Sequence, residues 1–244
     1  MMQDSYYYGF LADKVLSSSI LKKLLDSPKA YQSYLDNLGK EENVSALIAG
    51  RYLHTRILEP EKVELYFETA PVKNRDTQKF ATFQAASDKE VLSINEYDQC
   101  ERMISALLSK TEVQLALKET QYELPACGEV HGLPFRAKAD MLGERGVMDL
   151  KTTSSLARFK NAARYTWHYD VQALLYSLLF EKDPTEFKFI CVDKKTYQVG
   201  IFGISPRTLE YAAQKLERAC NIYHDYFGDD AFFEQDDYVI TDTL

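Results

Sequence analysis

Apolar positions in the first half of the chain recur at helical spacing, and serines and prolines mark where these segments begin and end. The expected helices cover residues 17–35 with a break before Pro28, residues 43–59 with a stop at Pro60, and about 94–110 with Ser93 or Asn95 as the cap. Residues 62–90 between them are polar and irregular, and their stretch NRDTQKFA is expected to form loop or a short helix.

The second half of the chain changes to short segments with the pattern of strands. Strands are expected at 120–124, 133–142, 146–152, 186–192 and 198–204. Helices are expected over about 157–181, ending before Pro184, and from Pro206 to about residue 226. Helices followed by strands, a helix, strands and a helix indicate an α/β domain with a mixed sheet.

The chain is expected to form a single domain, because 244 residues suffice for one substantial core and no linker or repeat divides them. We expect a mainly helical part over 1–115, a core over 116–227 and an acidic tail over 228–244. No stretch approaches the roughly 18 apolar residues of a membrane-spanning helix, and the N-terminus lacks the pattern of a secretory signal. A cytoplasmic protein that does not bind membranes is therefore expected.

The net charge of −8 is distributed unevenly along the chain. Residues 136–164 carry +4 and the remainder carries −12. A basic segment in an acidic body is compatible with a DNA channel, although ordinary scatter of surface charge explains it equally well. The candidates for phosphate contacts in this segment are Arg136, Lys138, Arg158, Lys160 and Arg164.

The four cysteines are too far apart in sequence to form a CxxC-type metal knuckle. They are Cys100, Cys127, Cys191 and Cys220. We expect reduced thiols that are mostly buried, and no iron–sulfur cluster.

The segment 135–151 carries the candidate chemistry. If residues 144–145 form a two-residue turn, positions across the hairpin add to 289, so Asp140 lies opposite Asp149 with Cβ atoms about 5 Å apart. Lys151 then points to the same face. Facing carboxylates favour a magnesium or manganese ion between them, and Lys151 would hold or deprotonate the attacking water. On spacing alone, a solvated surface hairpin is an equally good interpretation.

Two helical segments add candidates that, taken singly, are more typical of core residues. His54 is expected to point inward, because it shares a helix face with Leu47, Gly50 and Ile57. Further along, Gln172 and Tyr176 are four residues apart on one face, with Tyr169 one turn earlier.

Together these residues resemble a known family. Asp140, eight intervening residues and Asp149-Leu-Lys151 resemble the signature of the PD-(D/E)XK nuclease superfamily. The segment GRYLH-x-x-x-LEPE around His54 resembles the corresponding segment of RecE-type exonucleases, and YDVQALLY resembles their Q-x-x-x-Y motif. Over most of its length the chain resembles the phage-type RecE-like exonucleases of the exodeoxyribonuclease VIII family.

The resemblance implies a restriction-endonuclease-like core, with a central mixed β-sheet flanked by helices and an N-terminal helical region. It implies hydrolysis of phosphodiester bonds from duplex DNA ends, in the 5′ to 3′ direction, with one or two Mg²⁺ or Mn²⁺ ions, in phage-type recombination. The implied metal ligands are His54, Asp140, Asp149 and the backbone carbonyl of Leu150, and the implied catalytic residues are Asp140, Asp149, Lys151, Gln172 and Tyr176.

The family also has an acidic residue on the strand before the first aspartate. Glu119, Glu123 and Glu129 compete for this role. We favour Glu123, because it lies within an alternating strand.

Partners and alternatives follow from the same resemblance. It implies a homo-oligomeric ring around DNA and a single-strand annealing protein as partner. Related CRISPR-associated and AddB-like nucleases carry an iron–sulfur cluster, which the cysteine spacing here argues against. The alternative without catalysis is a DNA-end-binding or interaction module of the same fold, and a structural protein with a chance hairpin is the last alternative. Both leave unexplained why His54, Asp140, Asp149, Lys151 and Gln172 occur together.

Overall fold

The computed structural model describes residues 15–37 and 45–239, so the start of the chain, the first residues of the 43–59 segment and the end of the acidic tail lie outside it. The helices are α1 (Ser18–Asp26), α2 (Pro28–Asp36), α3 (Ser45–Leu58), α4 (Val63–Tyr66), α5 (Gln78–Ala86), α6 (Ile94–Leu108), α7 (Thr111–Lys118), α8 (Leu156–Tyr165), α9 (Tyr169–Leu179) and α10 (Pro206–Phe227). The strands are β1 (Phe67–Thr69), β2 (Glu90–Leu92), β3 (Thr120–Val130), β4 (Leu133–Gly143), β5 (Val147–Thr153), β6 (Lys188–Asp193) and β7 (Val199–Gly203). Within these described ranges, no helix is both long enough and apolar enough to span a bilayer.

A five-stranded mixed sheet lies at the centre, in the order β3-β4-β5-β6-β7. Strands β3, β4 and β5 form an antiparallel meander, β6 runs parallel to β5 after the α8–α9 crossover, and β7 returns antiparallel to β6. The expected mixed sheet is therefore confirmed. A separate parallel pair, β1 and β2, forms from two strands of three residues each, and the sequence pattern did not predict them.

Helices cover both faces of the sheet. Successive side chains of a strand point to opposite faces, so consecutive buried residues of a central strand pack against different helices. On β6, Ile190 and Val192 pack with α3, α6 and α7, whereas Phe189 and Cys191 pack with α8 and α9. Helices α1, α2 and α10 form a third cluster with α9 over the start of β4. Of the cysteines, Cys100, Cys191 and Cys220 are buried in three different clusters, and Cys127 is exposed on β3.

The predicted single helix over 157–181 is wrong. Helix α8 ends at Tyr165, where the N–H groups of Thr166 and Trp167 both donate to the carbonyl of Ala162. His168 then takes a left-handed conformation with φ of 50°, and α9 begins at the next residue. Neither glycine nor proline marks this break, and the sequence pattern therefore predicted one continuous helix.

Several other helix and strand boundaries differ from the predicted ones for local reasons. Strand β3 continues to Val130, well beyond the predicted end at residue 124, because an edge strand tolerates Pro125. The expected helix before it ends at Leu108 and is followed by the unpredicted α7. Of the two candidate caps, Ser93 caps α6 in a capping box with Glu96. In the polar stretch, the short helix α5 did form, starting within NRDTQKFA.

Gly146 closes the β4–β5 hairpin against a neighbouring loop. A Cβ atom at this position would lie 2.7 Å from the backbone oxygen of Glu186, which cannot move aside as a flexible side chain would. We expect Gly146→Ala to lower the free energy of unfolding by about 1–3 kcal/mol, measured by denaturant titration. Gly50→Ala in α3 is the control, because no atom lies within 4 Å of its Cβ position, and it should stabilise by up to about 1 kcal/mol. Equal effects at both positions would contradict the steric explanation.

Candidate active site

The hairpin β4–β5 opens at the two aspartates. Met141 pairs with Met148 and Leu142 with Val147, which is the predicted register, but the ladder of paired residues stops there. At the next position the carboxylate of Asp140 takes the place of a backbone acceptor, and the Leu150 N–H donates to its Oδ2 at 2.8 Å. The N–H and C=O of one strand residue point to the same edge of the strand, so the Leu150 carbonyl is expected on the edge that faces β4.

Three potential metal ligands meet at this opening. The side chains of His54, Glu123 and Asp140 each offer a ligand atom, and these atoms all lie within 4.8 Å of one another. His54 Nδ1 lies 3.3 Å from Asp140 Oδ2. Among the competing acidic residues, Glu123 belongs to this cluster, whereas Glu119 and Glu129 are exposed.

Glu123 reaches the cluster through an unusual backbone conformation. The β3–β4 register places it across from Asp140, between the pairs Tyr122–Met141 and Leu124–Ala139, but it is not itself paired. Its φ of 53° lies in the left-handed region. Residues other than glycine occupy this region at an energetic cost, and such residues are concentrated at functional sites.

Asp149 lies beside this cluster, and only 2% of the residue is exposed. Gln172 Nε2 donates to its Oδ1 at 2.6 Å. Its Oδ2 lies 2.6 Å from Lys151 Nζ, an ion pair that lacks the alignment of a hydrogen bond. Lys151 Nζ also lies 4.8 Å from the centre of the Tyr169 ring. Helix α9 thus positions Gln172, which donates to the Asp149 carboxylate, and Tyr169, whose ring contacts Lys151.

Burial and mutual repulsion split the pKa values of the carboxyl groups. Burial raises the pKa of Asp149 to about 6 in spite of the ion pair, and the charge of Asp140 adds to the shift. Burial and then Asp140 also raise the pKa of Glu123. Burial would raise the pKa of Asp140 as well, but the charge and hydrogen bond of His54 lower it. Two carboxyl groups with raised pKa values beside a third indicate a site that a further cation would stabilise.

The two basic side chains of the site both have raised pKa values, which favours their charged forms. Burial would lower the pKa of His54, but the charge and hydrogen bond of Asp140 outweigh it and raise the pKa. Burial opposes the charged form of Lys151 too, and the Asp149 carboxylate raises its pKa above the usual range. Lys151 is therefore an ammonium group at neutral pH.

The donor set fits a divalent cation. Two carboxylates and one imidazole form the cluster, next to the backbone of Leu150. Carboxylate and carbonyl oxygens suit both Mg²⁺ and Mn²⁺, whereas an imidazole ligand favours Mn²⁺. The cluster differs from the predicted ligand set by including Glu123, while Asp149 contacts Gln172 and Lys151.

An open cavity of about 670 Å³ gives access to these groups. The predicted residues that line it are Glu123, Arg136, Lys138, Asp140, Asp149, Lys151, Gln172 and Tyr176. Lys138 pairs with Glu123 at 2.8 Å, so it neutralises the cluster as well as facing the cavity. The other phosphate-contact candidates lie outside this cavity, with Arg158 and Lys160 exposed on α8 and Arg164 beside separate grooves.

His54 reaches the site from the edge of its helix. The predicted inward face is wrong at Leu47, which is 46% exposed, and the buried face of α3 runs through Ile48, Tyr52 and Leu53. The His54 side chain is 26% exposed and contacts Asp140 from beside this face. The contact with Asp140, rather than burial in an apolar stripe, thus fixes the position of His54.

Several cavity residues carry no sequence signal for the site. They are Ser17, Ser18, Ser19, Lys22, Tyr34, Trp167 and His168. The N-terminal members come from α1, its N-cap Ser17 and α2, and all lie more than 100 positions before Asp140; the serines look like helix caps in sequence. Ser18 lines the cavity together with Tyr176 of α9.

Comparisons with known proteins agree with this architecture. The model of a family described as "PDDEXK-like domain of unknown function (DUF3799)" matches residues 17–228. The crystal structure of a Eubacterium rectale protein named "Putative exonuclease" is similar with a TM-score of 0.69 and 18% sequence identity, covering 92% of this chain and 86% of that one. The match to the structure of SSO0001 covers 81% of this chain and 83% of that chain at 15% identity, but its TM-score of 0.29 is too low to indicate a shared fold. None of the curated proteins is significantly similar in sequence.

Proposed function

This chain belongs to the PDDEXK-like family DUF3799, and from that premise we propose that it is a divalent-metal-dependent nuclease that degrades DNA from duplex ends. The observation that carries the proposal is the meeting of Asp140, Asp149 and Lys151 with His54 and Glu123 where the hairpin opens. A binding module would not need a buried cluster of carboxylates whose pKa values are split by their repulsion.

Each residue can be given a task in phosphodiester hydrolysis. His54, Glu123 and Asp140 would hold the ion, with the Leu150 carbonyl and Asp149 beside them. When bound, a divalent ion supplies polarisation of the scissile phosphate and lowers the pKa of a water ligand.

The chain's own groups then orient the reactants. The Lys151 ammonium donates hydrogen bonds to the attacking water or to the phosphate, and its raised pKa favours this role over removal of a proton. Gln172 fixes the Asp149 carboxylate, and Tyr176 lines the cavity on the side of α9. Arg136 and Lys138 line the cavity and would contact phosphates of the substrate.

The finer assignment is an exonuclease of the RecE type, acting in the 5′ to 3′ direction in phage-type recombination. It is supported by the motifs around His54 and Gln172, and the similarly folded Eubacterium rectale protein carries the name "Putative exonuclease". A ring-shaped homo-oligomer and a single-strand annealing partner belong to this assignment. The alternative is a DNA-end-binding module of the same fold without catalysis.

Digestion of labelled DNA tests the proposal. Linear duplex labelled at either the 5′ or the 3′ end is incubated with Mg²⁺, Mn²⁺ or EDTA, beside a closed circular duplex. We expect metal-dependent shortening of the linear DNA only, with early release of the 5′ label as a small product. Cutting of the circle would indicate an endonuclease, and early release of the 3′ label would reverse the polarity. Intact DNA with every metal would favour the binding module.

Metal binding gives an independent test of the cluster. We expect His54→Ala to weaken Mn²⁺ binding at least about ten-fold in calorimetry, because loss of a group next to a metal ligand alone costs this much. His224→Ala is the control, since that histidine is exposed on α10 and contacts the His131 carbonyl. An equal loss in both variants would contradict the assignment of His54.

The pH dependence of Mn²⁺ binding has a definite sign. The pKa of Asp149 is about 6 and that of His54 is raised, so both groups are more protonated in the metal-free protein at pH 5.5 than at pH 7.5. Ligands must lose protons to bind metal, and affinity should therefore rise with pH across this window. Calorimetry at several pH values checks this, and a flat profile would show that neither group is coupled to the ion.

A further inference from the structure

A second concave surface lies between the end of α8 and the first turns of α10. It has a volume of about 690 Å³, and its basic and aromatic members are Arg164, Tyr165, Arg207, Tyr211, Lys215 and Arg218, which we call the α8–α10 groove. None of the residues that line it is acidic, although the whole chain carries −8. The lining of the groove is therefore positively charged although the net charge of the chain is negative, and this favours the binding of anions.

Cations and aromatic rings alternate within this groove. The Arg164 guanidinium carbon lies 5.2 Å from the centre of the Tyr165 ring and 5.6 Å from that of Tyr211. Arg207 lies 5.8 Å from the Tyr211 ring, and Lys215 lies 5.9 Å from that of Tyr165. Both tyrosines nevertheless stay open to solvent, at 67% and 40% exposure.

Such an arrangement is complementary to one class of ligand in particular. Phosphates pair with the cations, while unpaired bases stack on exposed rings, and this combination is typical of single-stranded nucleic acid binding. Duplex DNA stacks its own bases inside the helix and would leave Tyr165 and Tyr211 without a stacking partner. Two acidic side chains lie close by: Glu210 near Arg207, and Asp170, which is buried and already paired with Lys215.

The α8–α10 groove adjoins the catalytic cavity. Lys215 Nζ lies 2.9 Å from Asp170 Oδ2, and it also donates to the Arg164 carbonyl. Asp170 is the second residue of α9, and the residue before it, Tyr169, lines the catalytic cavity. At the start of α9, adjacent residues thus contact the two surfaces, Tyr169 the catalytic cavity and Asp170 the groove residue Lys215.

We propose that the α8–α10 groove binds a single DNA strand, namely the strand left uncut when its complement is degraded in the adjacent cavity. The identity of this strand rests on the proposed function. The binding of a single strand rests on the groove itself, through its charge, its exposed rings and its position.

Binding of a labelled oligonucleotide tests the groove without cleavage. Fluorescence anisotropy in EDTA measures the affinity for a single strand of about 16 nucleotides and for the matching duplex. We expect the double variant Arg207→Ala/Tyr211→Ala to bind the single strand at least about ten-fold more weakly, with a smaller change for the duplex. The single variant Arg207→Glu should weaken single-strand binding as well, because it reverses one charge of the groove.

The matched control is Arg102→Ala/Tyr66→Ala. Arg102 is exposed on α6 and Tyr66 is 45% exposed, close to the 40% of Tyr211, and neither residue belongs to the groove. This control should bind the single strand like the wild type. Thermal melting of all variants establishes that they are folded.

The outcomes separate this inference from the proposed function. Unchanged single-strand affinity in both groove variants overturns the inference, even if the wild type degrades DNA. Equal losses for single strand and duplex also overturn it, because the groove would then be a general path for phosphates. If the wild type cleaves no DNA but binds a single strand that the Arg207→Ala/Tyr211→Ala variant binds more weakly, the nuclease proposal is wrong and the inference about the groove is supported.

Discussion

Replacing Asp149 with asparagine should lower the rate of DNA cleavage about a thousand-fold or more while the protein stays folded. Asparagine keeps the size of the side chain and an oxygen that can accept from Gln172, but it removes the negative charge next to Lys151 and Asp140. Stabilisation of a phosphoryl transition state by a metal centre is worth several kcal/mol, and each 1.36 kcal/mol changes the rate about ten-fold. Single-turnover digestion of linear duplex with saturating Mn²⁺ measures the loss.

Asp193→Asn provides the matched control. Asp193 is another buried aspartate of the same sheet, 6% exposed at the end of β6, and it does not line the cavity. Its carboxylate accepts from the backbone N–H groups of Leu156, Lys195 and Thr196, so it serves the fold. This variant should cleave DNA like the wild type well below its melting temperature. Equal losses in both variants would indicate damage to the sheet, and full activity of Asp149→Asn would exclude the hairpin as the catalytic element.

The hairpin could be predicted because its register depends on local sequence. Gly143 and Gly146 bracket the turn, and the period of two then fixes which residues face each other. The hydrogen bond from Gly143 N–H to the Gly146 carbonyl closes the turn as expected. The strands separate at Asp140, however, because its side chain replaces a backbone acceptor, and no pattern of apolar residues encodes that substitution.

Features that depend on distant contacts could not be predicted in this way. The break between α8 and α9 depends on the left-handed conformation of His168, and neither glycine nor proline at this position indicates a turn in the sequence. The exposed Leu47 shows the same limit, since helical spacing defines several overlapping faces and the neighbouring helices decide which is buried. The left-handed conformation that brings Glu123 to Asp140 is likewise a tertiary outcome.

Partners of the catalytic residues fall between these two cases. The spacing of Gln172 and Tyr176 predicted a shared helix face, and α9 does present both to the cavity. It did not predict that Gln172 would bind Asp149, since helical spacing alone does not give the depth at which α9 packs on the sheet. The resemblance to nuclease motifs placed Gln172 and Tyr176 in the active site, but it did not name Asp149 as the partner of Gln172.

Replacing Lys151 with methionine should separate metal binding from cleavage. Methionine keeps an unbranched side chain of similar length beside Tyr169 but removes the ammonium that lies 2.6 Å from Asp149 Oδ2. Loss of one positioned donor to a developing charge costs about a hundred-fold to a thousand-fold in rate. Mn²⁺ should bind at least as tightly as in the wild type, because a competing positive charge next to the carboxylates has gone. Single-turnover cleavage and calorimetry measure the two effects.

Lys188→Met is the control, because Lys188 is an exposed lysine at the start of β6 in the same sheet, and it should leave both quantities unchanged. If Lys151→Met lost metal affinity together with cleavage, Lys151 would be needed to build the cluster rather than to act on the substrate. If Lys151→Met still cleaved DNA, Lys151 would be needed neither to build the cluster nor to act on the substrate. Cleavage lost with metal binding retained is the combination expected of an ammonium that orients water or phosphate, and a purely structural ion pair with Asp149 would not give it.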